Sequence, residues 1–244
     1  RNLVHSINLA SATGGMAGIF LPNAGNALVY NNMVRLGIDN AGAPITNSLQ
    51  INGIYKAATG SMGIYFNTVY IGGTGVASAA VNSFAFRRSS SGPADTVMNN
   101  IFYNARSNAS GTGKHYAINL NANTAILCNN NDLLADGTGG VLGLLVAADF
   151  ATLPAWQAAA NLDWNSASSD PKLINPTGNA GALDLHIQPA SATPVERSGY
   201  NIPLVTTDFD GQARAGLTPV DMGADAGNFT LMDLAAPAIY YTPF

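Results

Sequence analysis

Charge is scarce in this chain: of 244 residues only 10% are Asp, Glu, Lys or Arg, and Glu196 is the single glutamate beside three lysines. Soluble domains carry about 25%. With 10 Lys+Arg against 14 Asp+Glu, a net charge of -4 and no basic cluster, the electrostatic footprint of a nucleic-acid binder is missing. Cys128 is the one cysteine, so no internal disulfide can form, and the thiol reads as a small buried apolar side chain. Long apolar runs are also lacking. The most apolar stretch, 141–148, lies between Asp136 and Asp149 and falls far short of the roughly 18–20 residues of a spanning helix. No basic-then-apolar leader follows Arg1. The chain stops in the aromatic, proline-bounded segment Tyr240-Tyr241-Thr242-Pro243-Phe244, so a processed chain or a piece of a longer one is expected. What remains is 47% hydrophobic, with 26 glycines and abundant Asn, Ser, Thr and Ala. That excludes disorder and suits a turn-rich extracellular protein.

The first half repeats. Gly18-Ile19-Phe20, Gly53-Ile54-Tyr55, Phe84-Ala85-Phe86 and Tyr116-Ala117-Ile118 recur at intervals of roughly 31–35 residues, a solenoid spacing. A second series keeps step with it: Asn31-Asn32-Met33-Val34, Asn67-Thr68-Val69-Tyr70, Asn99-Asn100-Ile101-Phe102 and Asn129-Asn130-Asn131-Asp132. The apolar runs are short, β-branched or aromatic, and alternate with polar residues, which is the period of a half-buried strand. Helix is disfavoured by the Asn and Gly content. Asn beside a strand tolerates left-handed backbone at a turn, and Asn32, Asn67, Asn100 and Asn130 are expected to stack as a ladder when coils pile up. The fold class that follows is all-β: a parallel β-helix whose regular coils span 1–148, right-handed on the resemblance given below.

From Asp149 the pattern changes. Asp149 is a candidate N-cap, Pro154 falls in the first turn, and Phe150, Leu153, Trp156 and Ala160 share a face, so one short helix covering an apolar edge is expected. Short strands follow through Asp170-Pro171, Leu183-Asp184-Leu185-His186-Ile187, Asp208-Phe209-Asp210-Gly211, Arg214 and Asp221-Met222-Gly223-Ala224. These irregular coils (149–232) are read as the cap that protects the solenoid end, and 233–244 as a linker into a following module.

This order of motifs resembles the C-terminal coils of pectate-lyase-like right-handed parallel β-helix proteins, and more narrowly the β-helix modules of large secreted or surface proteins of Bacteroidetes-type bacteria. The resemblance implies export, a modular parent chain and an immunoglobulin-like neighbour. It implies no single activity, because the same fold hosts lyases, hydrolases, esterases and adhesins.

β-Helix hydrolases work with paired carboxylates, and the related lyases with acids around Ca²⁺ and a basic side chain. The first 131 residues hold only Asp39 and Asp95, a repeat or more apart, which argues against a carboxylate site on the regular coils. Asp208-Phe209-Asp210-Gly211 has the rhythm that opens a calcium loop but lacks its later ligands, so Asp208 and Asp210 are candidate Ca²⁺ ligands. The competing reading has Asp208 and Asp221 make turns and pair with Arg214 to lock the last coils. Arg87 and Arg88, adjacent on a strand, must point to opposite faces; one of them could join Tyr55, Tyr65 and Tyr70 in a groove for glycan. His5, His115 and His186 show no ligand spacing. The expected role is a non-catalytic adhesive or spacer module at the cell exterior, with a glycan or surface ligand and adjacent domains of the same chain as partners. A polysaccharide lyase or hydrolase is the alternative.

Overall fold

The computed structural model describes residues 1–11, 14–23, 25–77, 80–217 and 219–233. The tail expected to lead into a following module lies, but for Asp233, outside the described residues. The chain winds through successive coils of three short strands. The first holds β1 (Leu3–Val4), β2 (Gly15–Leu21) and β3 (Ala27–Tyr30); the second β4 (Met33–Leu36), β5 (Gln50–Lys56) and β6 (Met62–Tyr65). The third holds β7 (Thr68–Ile71), β8 (Ser83–Arg88) and β9 (Asp95–Met98); the fourth β10 (Ile101–Asn104), β11 (His115–Leu120) and β12 (Ile126–Asn129). β13 (Asp132–Ala135) and β14 (Gly140–Leu145) begin a fifth. Equivalent strands pair in parallel, giving a first sheet β1-β4-β7-β10-β13, a second that includes β2-β5-β8-β11-β14, and a third β3-β6-β9-β12. The protein is therefore a parallel β-solenoid.

Two series of strands are legible in the repeats; the structure contains three. The third is short and interrupted by polar residues, as in Asp95–Met98 and Ile126–Asn129. The register also corrects the first series: Ile54 pairs with Phe86 and Phe86 with Ile118, so Ala85-Phe86-Arg87, not Phe84-Ala85-Phe86, is equivalent to Gly53-Ile54-Tyr55. Interior columns follow from the pairing. Val34, Val69, Phe102 and Leu133 stack on one wall, and Ile64, Val97 and Cys128 on another, all fully buried. Burial pushes the Cys128 thiol well up and leaves it inert.

The helix forms as expected, α1 (Leu153–Ala160), with two corrections. Its N-cap is Thr152, whose hydroxyl accepts from the Ala155 N–H at 3.4 Å. Asp149 instead sits in β15 (Ala148–Phe150), which turns back antiparallel to β14. Trp156 is fully buried, and a Cβ on Gly143 would come within 2.4 Å of its ring, so a glycine is needed for the helix to close the last coil.

The remaining chain does more than cap the end. Through β16 (Leu173–Asn175), β17 (Asp184–Ile187), β18 (Ala192–Thr193), a 3-10 turn (Arg214–Gly216) and β19 (Thr230–Leu231), it runs back along the outer face of the first sheet. Leu185 and Ala224 pack on Met33 and Tyr70 there, and Ile187, Val195 and Met222 on Ile101. This cover explains why β4 and β7 are buried on both faces.

Candidate functional site

The second sheet carries a continuous band of aromatic, guanidinium and amide groups. Parallel pairing places Phe20 beside Tyr55 and Tyr55 beside Arg87, because coils in register repeat each outward position about 4.8 Å along the axis. Tyr55 stacks on Phe20 with centroids 5.1 Å apart and rings 25° from parallel. The Arg87 guanidinium lies 4.8 Å from the centre of the Tyr55 ring and 5.0 Å from that of Phe84. Phe84 in turn stacks on Tyr116 at 5.3 Å, within 7° of parallel.

Polar groups hold this band in place. Arg87 Nη1 donates to Gln50 Oε1 at 3.0 Å, Ser89 Oγ donates to the Tyr55 hydroxyl at 3.2 Å, and Tyr116 donates to Asp149 Oδ1 at 2.9 Å. Asp149 also binds the Lys114 ammonium. Burial alone would raise its pKa; the Lys114 and Tyr116 hydrogen bonds outweigh that and lower it. Tyr116 is raised by burial and by the same carboxylate. At the open end of the band, Met16, Ala17, Phe20, Gln50, Asn52 and Tyr55 line a shallow cleft of about 360 Å³. Phe20 is 52% exposed there. An exposed aromatic face beside amides and a cation suits a flat, hydroxylated ligand.

Of the five side chains proposed from the sequence as glycan contacts, the structure brings together Tyr55 and Arg87. Tyr65 lies on the third sheet, where it lines a separate shallow depression with Ser61, Met62 and Gly63. Tyr70 is covered by the returning chain, edge-on to Tyr103 at 5.1 Å, and burial pushes its pKa to about 12. Arg88 points into the solenoid and is no surface cation. Its Nε meets Asp95 Oδ2 at 2.7 Å, and Lys56 Nζ meets the same oxygen at 2.9 Å, all three side chains being buried. Further Arg88 bonds end on the carbonyls of Ala122, Thr124 and Ala125.

The expected turn and ladder residues divide similarly. Asn2, Asn32, Asn67 and Asn100 form an amide ladder, each Nδ2 donating to the next Oδ1 at 2.9–3.0 Å. The next member is Asn131, not Asn130. In each coil a left-handed residue precedes the ladder Asn: Asn31, Phe66, Asn99 and Asn130, with φ between 52° and 61°. Asn131 alone stands directly before its strand, as Asn32 does before Met33, and that spacing is the signal for it. The left-handed column faces the returning chain. Asn99 exchanges hydrogen bonds with Tyr200, Asn130 donates to the Ser198 carbonyl, and Asn31 accepts from Arg214 Nη2 at 3.1 Å.

Arg214 makes its hydrogen bonds to groups other than Asp208 and Asp221, whose charges act on it without direct contact. It bonds Asn31 and the carbonyls of Thr207, Gly223 and Ala224, and sits 4.0 Å over the Phe66 ring. Asp221 accepts from the Arg197 and Gly227 N–H groups. Asp208 is fully buried and accepts from Gln212 N at 2.7 Å and Ala226 N at 3.3 Å, so its carboxylate serves the fold. Asp210 turns outward and meets His186 Nε2 at 2.9 Å. The sequence shows His186 only as a histidine without ligand spacing to the other two; Asp184, two residues away on the same strand face, is the signal that points to it.

Scans of protein-family models, curated proteins and solved structures find no match to this chain.

Proposed function

We propose that this chain is a non-catalytic β-solenoid module of a larger secreted or cell-surface protein, and that it contacts glycan through the band on its second sheet. The observation that carries this reading is the unbroken stack Phe20–Tyr55–Arg87–Phe84–Tyr116, which crosses four coils with Arg87 and Phe84 both on β8, and which has an exposed aromatic at its open end. Its open end, Phe20 with the half-buried Tyr55 and Arg87, offers a sugar ring an apolar face and hydrogen-bond donors, while the buried Phe84 and Tyr116 support it from behind. The carboxylate in the band, Asp149, is engaged by Lys114 and Tyr116, whereas glycoside hydrolysis calls for two carboxyl groups flanking the bond. Right-handed winding, a pectate-lyase-like ancestry, a Bacteroidetes-type source and an adhesive or spacing role outside the cell belong to the same proposal.

The test is a glycan array probed with the chain and with Tyr55→Ala and Arg87→Ala, each in Ca²⁺ and in EDTA. Retention of a defined glycan class that drops at least about tenfold in each variant, without regard to EDTA, supports the proposal; a tenfold change is about 1.4 kcal/mol. Retention unaffected by either substitution, or no retention, sinks it. Release of unsaturated or reducing ends from a bound polysaccharide would put a lyase or hydrolase in its place.

A further inference from the structure

Three segments distant in the chain bring a mixed nitrogen and oxygen donor set to one place on the returning cover. His186 projects from β17, while its neighbours Leu185 and Ile187 are buried against the first sheet. Asp210 comes from the turn after Asp208, and Asp225 follows Ala224, another residue packed on that sheet. One ligand atom from each of His186, Asp210 and Asp225 lies within 4.8 Å of the others. Two metal bonds of about 2.0–2.2 Å at a tetrahedral angle span roughly 3.5 Å, so the three donors would draw inward on binding an ion.

We infer that His186, Asp210 and Asp225 form a binding site for a divalent transition-metal ion of the zinc class, with Asp184 as its positioning residue. The His186 Nδ1 donates to Asp184 Oδ1 at 2.6 Å, and that oxygen also accepts from the His186 backbone N–H at 2.9 Å. This contact orients the ring and leaves Nε2 facing Asp210, the arrangement in which a carboxylate supports a ligating imidazole. Asp225 is anchored and nearly buried, accepting from the Ile187 N–H at 2.8 Å. Asp210 is exposed, and its 2.9 Å contact with His186 Nε2 is one that an ion between them would replace. One imidazole with two carboxylates favours zinc, cobalt or nickel over calcium, which takes oxygen ligands. Three carboxylates around a single imidazole leave surplus negative charge that a dication neutralises. Because the ligands come from three separate stretches of the cover, the ion would staple those stretches to one another.

The experiment titrates the full chain with Zn²⁺ by calorimetry, follows thermal unfolding with and without Zn²⁺, and reads Co²⁺ absorption as the probe of coordination. One ion per chain is expected, with a higher Tm and a Co²⁺ spectrum showing nitrogen and oxygen ligands. Asp210→Asn, at an exposed position that does not threaten folding, and His186→Gln should abolish all three signals, while His5→Gln should keep them. Asp184→Asn should weaken binding about 10–100-fold. No uptake, uptake that survives both Asp210→Asn and His186→Gln, or Ca²⁺ displacing Zn²⁺ would overturn the assignment and leave His186 as an ion-paired surface histidine.

Discussion

Trp156 Nε1 donates to Asp163 Oδ2 at 2.9 Å, and the other oxygen of that carboxylate terminates the amide ladder by accepting from Asn131 Nδ2 at 3.1 Å. One buried side chain thus joins the closing helix to the spine that runs through the coils. Ser166 Oγ and Cys128 Sγ also donate to Asp163 Oδ1, at 2.7 and 3.5 Å.

Asp163→Ala should be among the most damaging single changes. It strands the indole N–H, the Asn131 amide and the Ser166 hydroxyl, and each buried group left without a partner costs about 1–3 kcal/mol. A loss of at least about 3 kcal/mol is expected from urea unfolding followed by Trp fluorescence. Asp163→Asn retains an acceptor and should cost less.

The middle of the ladder makes a sharper test. Asn67 Nδ2 donates to the Val29 and Tyr65 carbonyls and to Asn100 Oδ1, all within 3.1 Å. Asn67→Asp would turn an oxygen toward three acceptors, so at pH 7 it should destabilise more than Asn67→Ala. Burial among acceptors raises the folded pKa of the introduced carboxyl above its ordinary value of about 3.9. Its penalty is therefore smallest at acid pH and grows as pH rises through the folded pKa. Equal stability of the two variants at pH 7 would contradict the ladder's donor assignment.

Inside the coils, Asp95 neutralises two buried cations, Lys56 and Arg88, and accepts backbone N–H groups from Met62 and Gly92. Asp95→Ala should cost about 3–5 kcal/mol, the usual penalty for orphaning buried charge. Lys56→Met should cost clearly less, since Arg88 would keep its partner. Denaturant midpoints of the two variants decide this, and a Lys56→Met as harmful as Asp95→Ala would refute it.

Asp132 predicts a pH dependence of opposite sign to that of a salt-bridged carboxylate. It is fully buried; Oδ1 accepts from Ser169 N at 3.1 Å and Oδ2 has no partner among the described residues. Burial, with Asp170 adding to it and the Ser169 bond opposing, raises its pKa from 3.8 to about 7. Between those values the folded chain holds a proton that the unfolded chain releases, so this group's contribution to stability falls as pH rises across the window. Asp132→Asn should match the parent near pH 4 and exceed it near pH 8. Unfolding curves of both proteins across that range, showing parallel pH profiles, would dismiss the idea.

The repeat period, the β-strand character of the coils and the inward Asn32, Asn67 and Asn100 were written in the sequence, because a solenoid stacks equivalent residues at a fixed interval and each coil needs the same turn chemistry. The fate of Cys128 and of Trp156 was legible for a similar local reason: a small thiol and a large ring in apolar surroundings have few alternatives to burial. Only the tertiary structure decided which sides of the coils meet solvent. Tyr55 and Tyr70 occupy similar strands, yet the returning chain covers Tyr70 and leaves Tyr55 on an open sheet. Adjacency on a strand makes Arg87 and Arg88 diverge, but it is the buried Asp95, seven residues on, that holds Arg88 on the inner side. Asn131 took the ladder place expected of Asn130 because the left-handed residue must come first. His186, Asp210 and Asp225 met only when the cover folded back, since their proximity depends on contacts between segments that no local spacing encodes.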